Sequence, residues 1–193
     1  MKVYFNASLL GKEKYLKEFK TIIDTIKSLG HEVYSDNVMK RDYITVNKQT
    51  KKQHEADFQR ARNKIHKSDV MIIEATQPSI GVGHTMTLAL EMYKNVLVLY
   101  QNTPHCLLIG DPNRLLNVKR YSLKDPENLR HIIEIFMKRA QQRLLKKRFN
   151  LMLDVQQEDY LDWISKKLVV SKANYIRQLI NDSIQKNKKY KKL

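Results

Sequence analysis

The sequence predicts an α/β fold in which a parallel sheet is covered by helices on both faces. Three observations predict it. Short runs that are apolar throughout, Val70-Met71-Ile72-Ile73 and Val96-Leu97-Val98-Leu99-Tyr100, suit strands buried on both sides rather than strands facing water on one. Amphipathic segments of helical length alternate with these runs. Glycine- and serine-bearing loops stand where a strand hands over to a helix. Together they describe a Rossmann-like sandwich.

The elements follow in order. Val3-Tyr4-Phe5 is β-rich, and the next segment places Leu16, Phe19, Ile22, Ile23 and Ile26 at helical spacing before Gly30 ends the helix. His31 to Tyr34 reads as a second short strand. The polar stretch SDNVMKRDYITVNKQTKKQ has no period and reads as a surface loop. A helix is expected over about Gln53 to His66, then the Val70–Ile73 strand, then the loop and helix of GVGHTMTLALEMY, then the Val96–Tyr100 strand. Val118 to Tyr121 supplies a last strand. Asp125-Pro126-Glu127-Asn128 opens a helix with Leu129, Ile132, Ile133, Phe136 and Met137 on one face.

The pattern changes after Lys146. Arg148 to Val155 alternates with period two, with Phe149, Leu151, Leu153 and Val155 on one face and Arg148, Asn150, Met152 and Asp154 on the other. Helical patterns over Gln157–Leu168 and Lys172–Gln185 follow, and KNKKYKKL closes the chain as a lysine tail. This divides the sequence into residues 1–145 and 146–193.

Composition narrows the function classes. The 193 residues are 42% hydrophobic, enough for a packed core, and carry a formal charge of +16, which implies a negatively charged partner. The single cysteine, Cys106, excludes an intramolecular disulfide and a thiolate cluster, and fits a reducing cytoplasm. No apolar run approaches the roughly 18 residues of a membrane span. The six histidines show no metal-ligand spacing, and no Walker loop or zinc-protease motif is present. No metal and no cofactor is expected.

Two strand-to-helix loops carry the candidate chemistry. Ala7-Ser8-Leu9-Leu10-Gly11-Lys12 follows the first strand and Gln77-Pro78-Ser79-Ile80-Gly81-Val82-Gly83 follows the third. Hydroxyls and backbone N–H groups converging there suit a phosphate or sugar hydroxyls. In order and spacing, KVYFNAS, LGHEV, SDVMIIEATQPSIGVGH, NVLVLY and LLIGDPN resemble the nucleoside 2-deoxyribosyltransferase family, most closely its 2′-deoxynucleoside 5′-phosphate N-hydrolase branch, over about residues 1 to 140. The resemblance implies a nucleotide or nucleoside ligand held by Tyr4, Ser8, Gly11, Lys12, Ser79, Gly81, Gly83 and His84, with Ser79 on the 5′-phosphate. The family's arginine in the first loop is replaced by Leu10, so Lys12 is expected to supply the charge. The family's glutamate, two residues after the last glycine, falls on Thr85, and its aspartate on the preceding helix falls on Ala61. Neither residue type can stabilise a sugar cation or move a proton in glycosidic cleavage. Asp57, Glu74 and Glu91 are the carboxylates nearby, Asp57 lying one helical turn before position 61.

The C-terminal segment resembles the ribbon-helix-helix repressors of the Arc and MetJ class. That resemblance implies an intertwined homodimer whose paired strands enter the DNA major groove, with Arg148, Asn150 and Met152 facing bases and the helix start at Ser171 and Lys172 facing a phosphate. From Lys146 onward, 12 Lys and Arg stand against 5 Asp and Glu, which agrees with such a partner. The combined expectation is a DNA-binding transcriptional regulator with a non-catalytic nucleotide-sensing domain and no catalytic residues. The alternative is an enzyme, a deoxyribosyltransferase or a nucleoside 5′-monophosphate N-glycosidase.

Overall fold

The computed structural model describes residues 1–102, 106–142 and 150–187, which divide into two compact units, Met1–Leu144 and Leu145–Leu193. In the first, five parallel strands lie in the order β2-β1-β3-β4-β5: β1 Lys2–Ala7, β2 Glu32–Tyr34, β3 Val70–Glu74, β4 Asn95–Tyr100 and β5 Leu116–Arg120. The last strand begins two residues earlier than the sequence suggests.

Strand alternation sends Val3, Phe5, Val70, Ile72, Leu97 and Leu99 to one face. There they meet α1 (Lys12–Ser28) and α7 (Pro126–Gln142). Phe19, Ile22 and Ile26 of α1 are fully buried, each stabilising the fold by about 1.5–3 kcal/mol relative to exposure. Gly30, at φ +81, supplies the left-handed residue that ends α1, as the helix-stop reading requires. Tyr4, Met71, Ile73, Val96 and Val98 point to the other face, where Ile65 and Ala89 anchor α4 (Lys51–Lys67) and α5 (Ile80–Glu91).

The stretch read as a structureless loop contains two short helices, α2 (Asp36–Met39) and α3 (Tyr43–Asn47). They lack a hydrophobic period because each spans about one turn; a local cap holds α3, the Asp42 carboxylate accepting from the Thr45 N–H at 2.7 Å. A further short helix, α6 (Cys106–Ile109), follows β4.

The second unit differs from expectation. Asn150 to Asp154 belongs to no strand, and Arg148 and Phe149 lie outside the described residues. Asp154 instead caps α8 (Val155–Leu168), exchanging bonds with Gln157 in a capping box, so the last residue of the expected strand is the first of the helix. Val169 joins α8 to α9 (Lys172–Lys186) at φ +54, an uncommon conformation for a β-branched residue.

Candidate active site

The two loops meet. Gly11 packs so closely on the second loop that a Cβ there would lie 2.7 Å from the Cβ of Gln77, so only glycine lets them touch. Ser8, at the end of β1, is buried, and its carbonyl accepts the Gly11 N–H at 3.2 Å. Ser79 is the N-cap of α5, its hydroxyl accepting from the Val82 N–H at 3.4 Å. Gly81 and Gly83 have open space around them, so the first turn of α5 leaves room for an anion at its positive dipole end.

Beside this turn, α4 packs against α5 and β1. Thr85, where the family places its glutamate, ties α5 to the sheet: it accepts from Asn6 Nδ2 at 2.7 Å and donates to the Val82 carbonyl at 2.9 Å. Asn6 Oδ1 accepts in turn from Asn37 Nδ2 at 2.9 Å.

The carboxylate of the cleft is Asp57. It lies on α4 four residues before Ala61 and eight before the buried Ile65, so all three share one helical face, and the one-turn offset moves the acid along the helix without rotating it away. Its side chain is only 11% exposed and pairs with Arg41 through one oxygen and Arg60 through the other. Arg41 also donates to Gln49 at 3.3 Å. Its charge reaches Tyr4, whose phenol is pushed up to about 12 by burial, Arg41 acting in the opposite direction. Phe58 stacks on His84 with centroids 5.8 Å apart, closing the cleft between α4 and α5.

Lys12 is not where the sequence reading puts it. Its ammonium donates to the carbonyls of Met39 at 2.9 Å and Arg41 at 2.6 Å, fixing the loop that carries Arg41. One of the two positive charges on Asp57, Arg41, comes from the aperiodic segment between β2 and α4. Arg41 has no local signal, because it is placed by a lysine 29 residues earlier in the chain.

The remaining candidates fall away from the cleft. Glu74 faces the opposite side of the sheet, where one oxygen accepts from Tyr121 at 3.1 Å and from the N–H of Thr76 at 3.1 Å, and burial raises its pKa. Glu91 ends α5 and is exposed. A larger cavity, about 710 Å³, lies beside α5 over β3 to β5. It shares Ser79 and Gly83 with the loops; Ile73, Val98, Met86 and Val118 give it apolar walls, Asp111 and Thr87 add polar groups, and Asp57, Tyr4 and Arg41 are not among its lining residues.

No family model matches the chain. Individual relatives do. A 2′-deoxynucleoside 5′-phosphate N-hydrolase 1 of Methanosarcina barkeri is 30% identical over 138 residues, covering 70% of this chain and 84% of the relative. That of Nematostella vectensis is 36% identical over 128 residues, covering 64% and 84%. The chain belongs to the 2′-deoxynucleoside 5′-phosphate N-hydrolase family. A 5-hydroxymethyl-dUMP N-hydrolase of Danio rerio is 30% identical over 101 residues, 52% of this chain and 69% of the relative. The solved structure of a Clostridium botulinum CMP N-glycosidase, BcmB, superposes with a TM-score of 0.50 at 16% identity, covering 70% of this chain and 99% of that one, a likeness of fold.

Family membership overturns the reading of the protein as a DNA-binding transcriptional regulator with a non-catalytic pocket: these relatives are named as hydrolases of nucleotides. The geometry of the second unit agrees with that correction. Lys172, expected on a DNA phosphate, is held by Asp162 at 2.9 Å and Glu158 at 3.7 Å of its own unit. Ser171 caps α9 with its hydroxyl, and Asn150 and Met152 are exposed outside any strand. Among the described residues no group of acids, histidines and cysteines could hold a metal, and no helix is long and apolar enough to cross a membrane.

Proposed function

We propose that the protein hydrolyses the N-glycosidic bond of a 2′-deoxynucleoside 5′-monophosphate. The C1′–N bond breaks, the oxygen of a water molecule joins C1′, and the water proton passes to the departing base. The observation that carries this reading is the placement of Asp57, a carboxylate only 11% exposed on α4, held by the guanidinium groups of Arg41 and Arg60, of which Arg41 also acts on Tyr4. A carboxylate fixed beside the sugar stabilises the positive charge that grows on the ring as the bond stretches. The α5 N-terminus, flanked by Ser79 and the open glycines, receives the 5′-phosphate and sets the sugar's position along the cleft. Thr85 is left the structural role its bond to Asn6 supports.

Chromatography of a panel of 2′-deoxynucleoside 5′-monophosphates and their parent nucleosides tests the reading. The expected result is free base and 2′-deoxyribose 5-phosphate in equal amounts, with the nucleosides turned over far more slowly. Absence of free base from every nucleotide overturns it.

We further infer that residues 145–193 pair with a second copy. Leu151, Leu153, Val155 and Trp163 are 51%, 37%, 78% and 54% exposed, more apolar surface than a unit of this size leaves to water. Light scattering of the full chain should give a dimer that Leu151→Ser with Leu153→Ser dissociates; a dimer unchanged by the double substitution contradicts the inference.

A further inference from the structure

On the sheet face that meets α1 and α7, β1, β3 and β4 present only apolar side chains near their centres, but β5 breaks the pattern. Register pairs Leu97 with Asn117 and Leu99 with Lys119, so Asn117 and Lys119 share the face on which the central residues of β1, β3 and β4 are apolar. They do not meet a covering helix squarely. They open on a groove of about 350 Å³ between β5 and the flank of α7, to which α7 contributes Asn128, His131 and Arg139 at helical spacing.

The groove is one-signed. Lys119, Arg120, His131 and Arg139 line it and no carboxylate does. Among the described residues none of these four enters an ion pair, while Glu134 of the same helix is taken by Lys138 at 2.8 Å. Among the described residues Arg120 bonds through Nε alone, to the Gln101 carbonyl at 2.9 Å, which leaves its terminal nitrogens for another acceptor. Converging cations in a concavity with low-dielectric walls repel one another and concentrate positive potential. Lysine on an edge strand guards against strand pairing, but that purpose needs neither a concave site nor an arginine and a histidine supplied by the neighbouring helix. The floor, made by Ile132 and Ile135, is apolar, so the groove suits an anion bearing a carbon skeleton.

We propose that the groove between β5 and α7 is a second anion site, which takes the phosphate of a small phosphate monoester on the sheet face opposite the Asp57 cleft. Arg120 and Arg139 provide planar donors for the phosphate oxygens, Lys119 a point charge, and Asn117 and Asn128 neutral donors for the remaining acceptors. The site stands whether or not the cleft hydrolyses nucleotides.

The experiment is a titration of the full-length protein with inorganic phosphate and, separately, with a nucleoside 5′-monophosphate, followed by NMR at constant ionic strength with chloride as the control. Saturable shifts of the Lys119, Arg120, His131 and Arg139 signals are expected, with binding about tenfold weaker in Lys119→Ala with Arg139→Ala. His131→Ala, on the exposed side of α7, should weaken binding in the same direction, which guards against misfolding of the double variant. Tighter binding of the nucleotide than of phosphate assigns a role to the apolar floor; equal binding assigns the site to the phosphate alone. Shifts confined to the first turn of α5, or a drift that chloride reproduces, overturn the proposal.

Discussion

The two faces of the sheet each hold one buried carboxyl group, and the fold treats them in opposite ways. Glu74, on the α1 and α7 face, is sealed by Tyr121 and Thr76, and its second oxygen has no partner. Burial favours its neutral form. Asp57, on the α4 face, is surrounded by cations and set at the rim of a cleft. A carboxyl pushed towards its neutral form by burial closes the end of β3, whereas one clamped between guanidinium groups is held in its charged form. Burial alone does not mark a functional acid. The partners do.

The contrast is sharpened most by moving the cleft acid. Asp57→Ala should lower base release by roughly 10²–10⁴-fold, the range expected for a group acting on the reacting atoms. Adding Ala61→Asp restores a carboxylate to the same helical face one turn away and should recover about tenfold of that loss. Steady-state rates on one nucleotide check both. Next in size, Gly11→Ala forces apart the loops that join the phosphate end of the cleft to β1. A Cβ 2.7 Å from Gln77 costs about 1–3 kcal/mol in overpacking, seen as a lower Tm together with a higher KM. Lys12→Met removes the ammonium that holds Met39 and Arg41 and should cost about 2 kcal/mol of stability. Its kinetic effect should fall on kcat more than KM, because the loop it frees carries Arg41 and not the phosphate site.

The smallest effect belongs to Glu74. Its folded pKa is raised above the ordinary carboxylate value of 4.5, so the folded state binds more protons than the unfolded one between 4.5 and the folded value. The stability this gives is fully present below 4.5 and is lost as pH rises through the folded pKa. Thermal unfolding of Glu74→Gln against the natural chain should therefore favour the variant progressively as pH rises from 4.5. A difference that grows as pH falls would contradict the assignment of Glu74 as a neutral core group.

The sheet was legible in the sequence because β3 and β4 are apolar along their whole length and the helices between them keep a 3.6-residue period. Ser79 and the glycines stood out for the same reason that they matter, as breaks in that regularity. The acid was harder to see. Counting to Ala61 along the chain registers a missing residue, whereas counting around the helix finds Asp57 on the same face as Ala61 and Ile65. Arg41 was invisible because nothing local positions it. Lys12, a lysine in a glycine loop, reads as a phosphate ligand, whereas its long-range contacts with the Met39 and Arg41 carbonyls have no local signal. In the second unit, the alternation from Arg148 to Val155 resembles a strand, but Asp154 and Gln157 close a capping box that starts a helix there.

The most direct test assays base release from one 2′-deoxynucleoside 5′-monophosphate by two neutralised variants side by side, Asp57→Asn and Glu74→Gln. The account predicts that the first loses at least about a hundredfold while remaining folded, and that the second stays within about threefold of the natural chain. Full activity in Asp57→Asn, or an equal collapse of both, would contradict it.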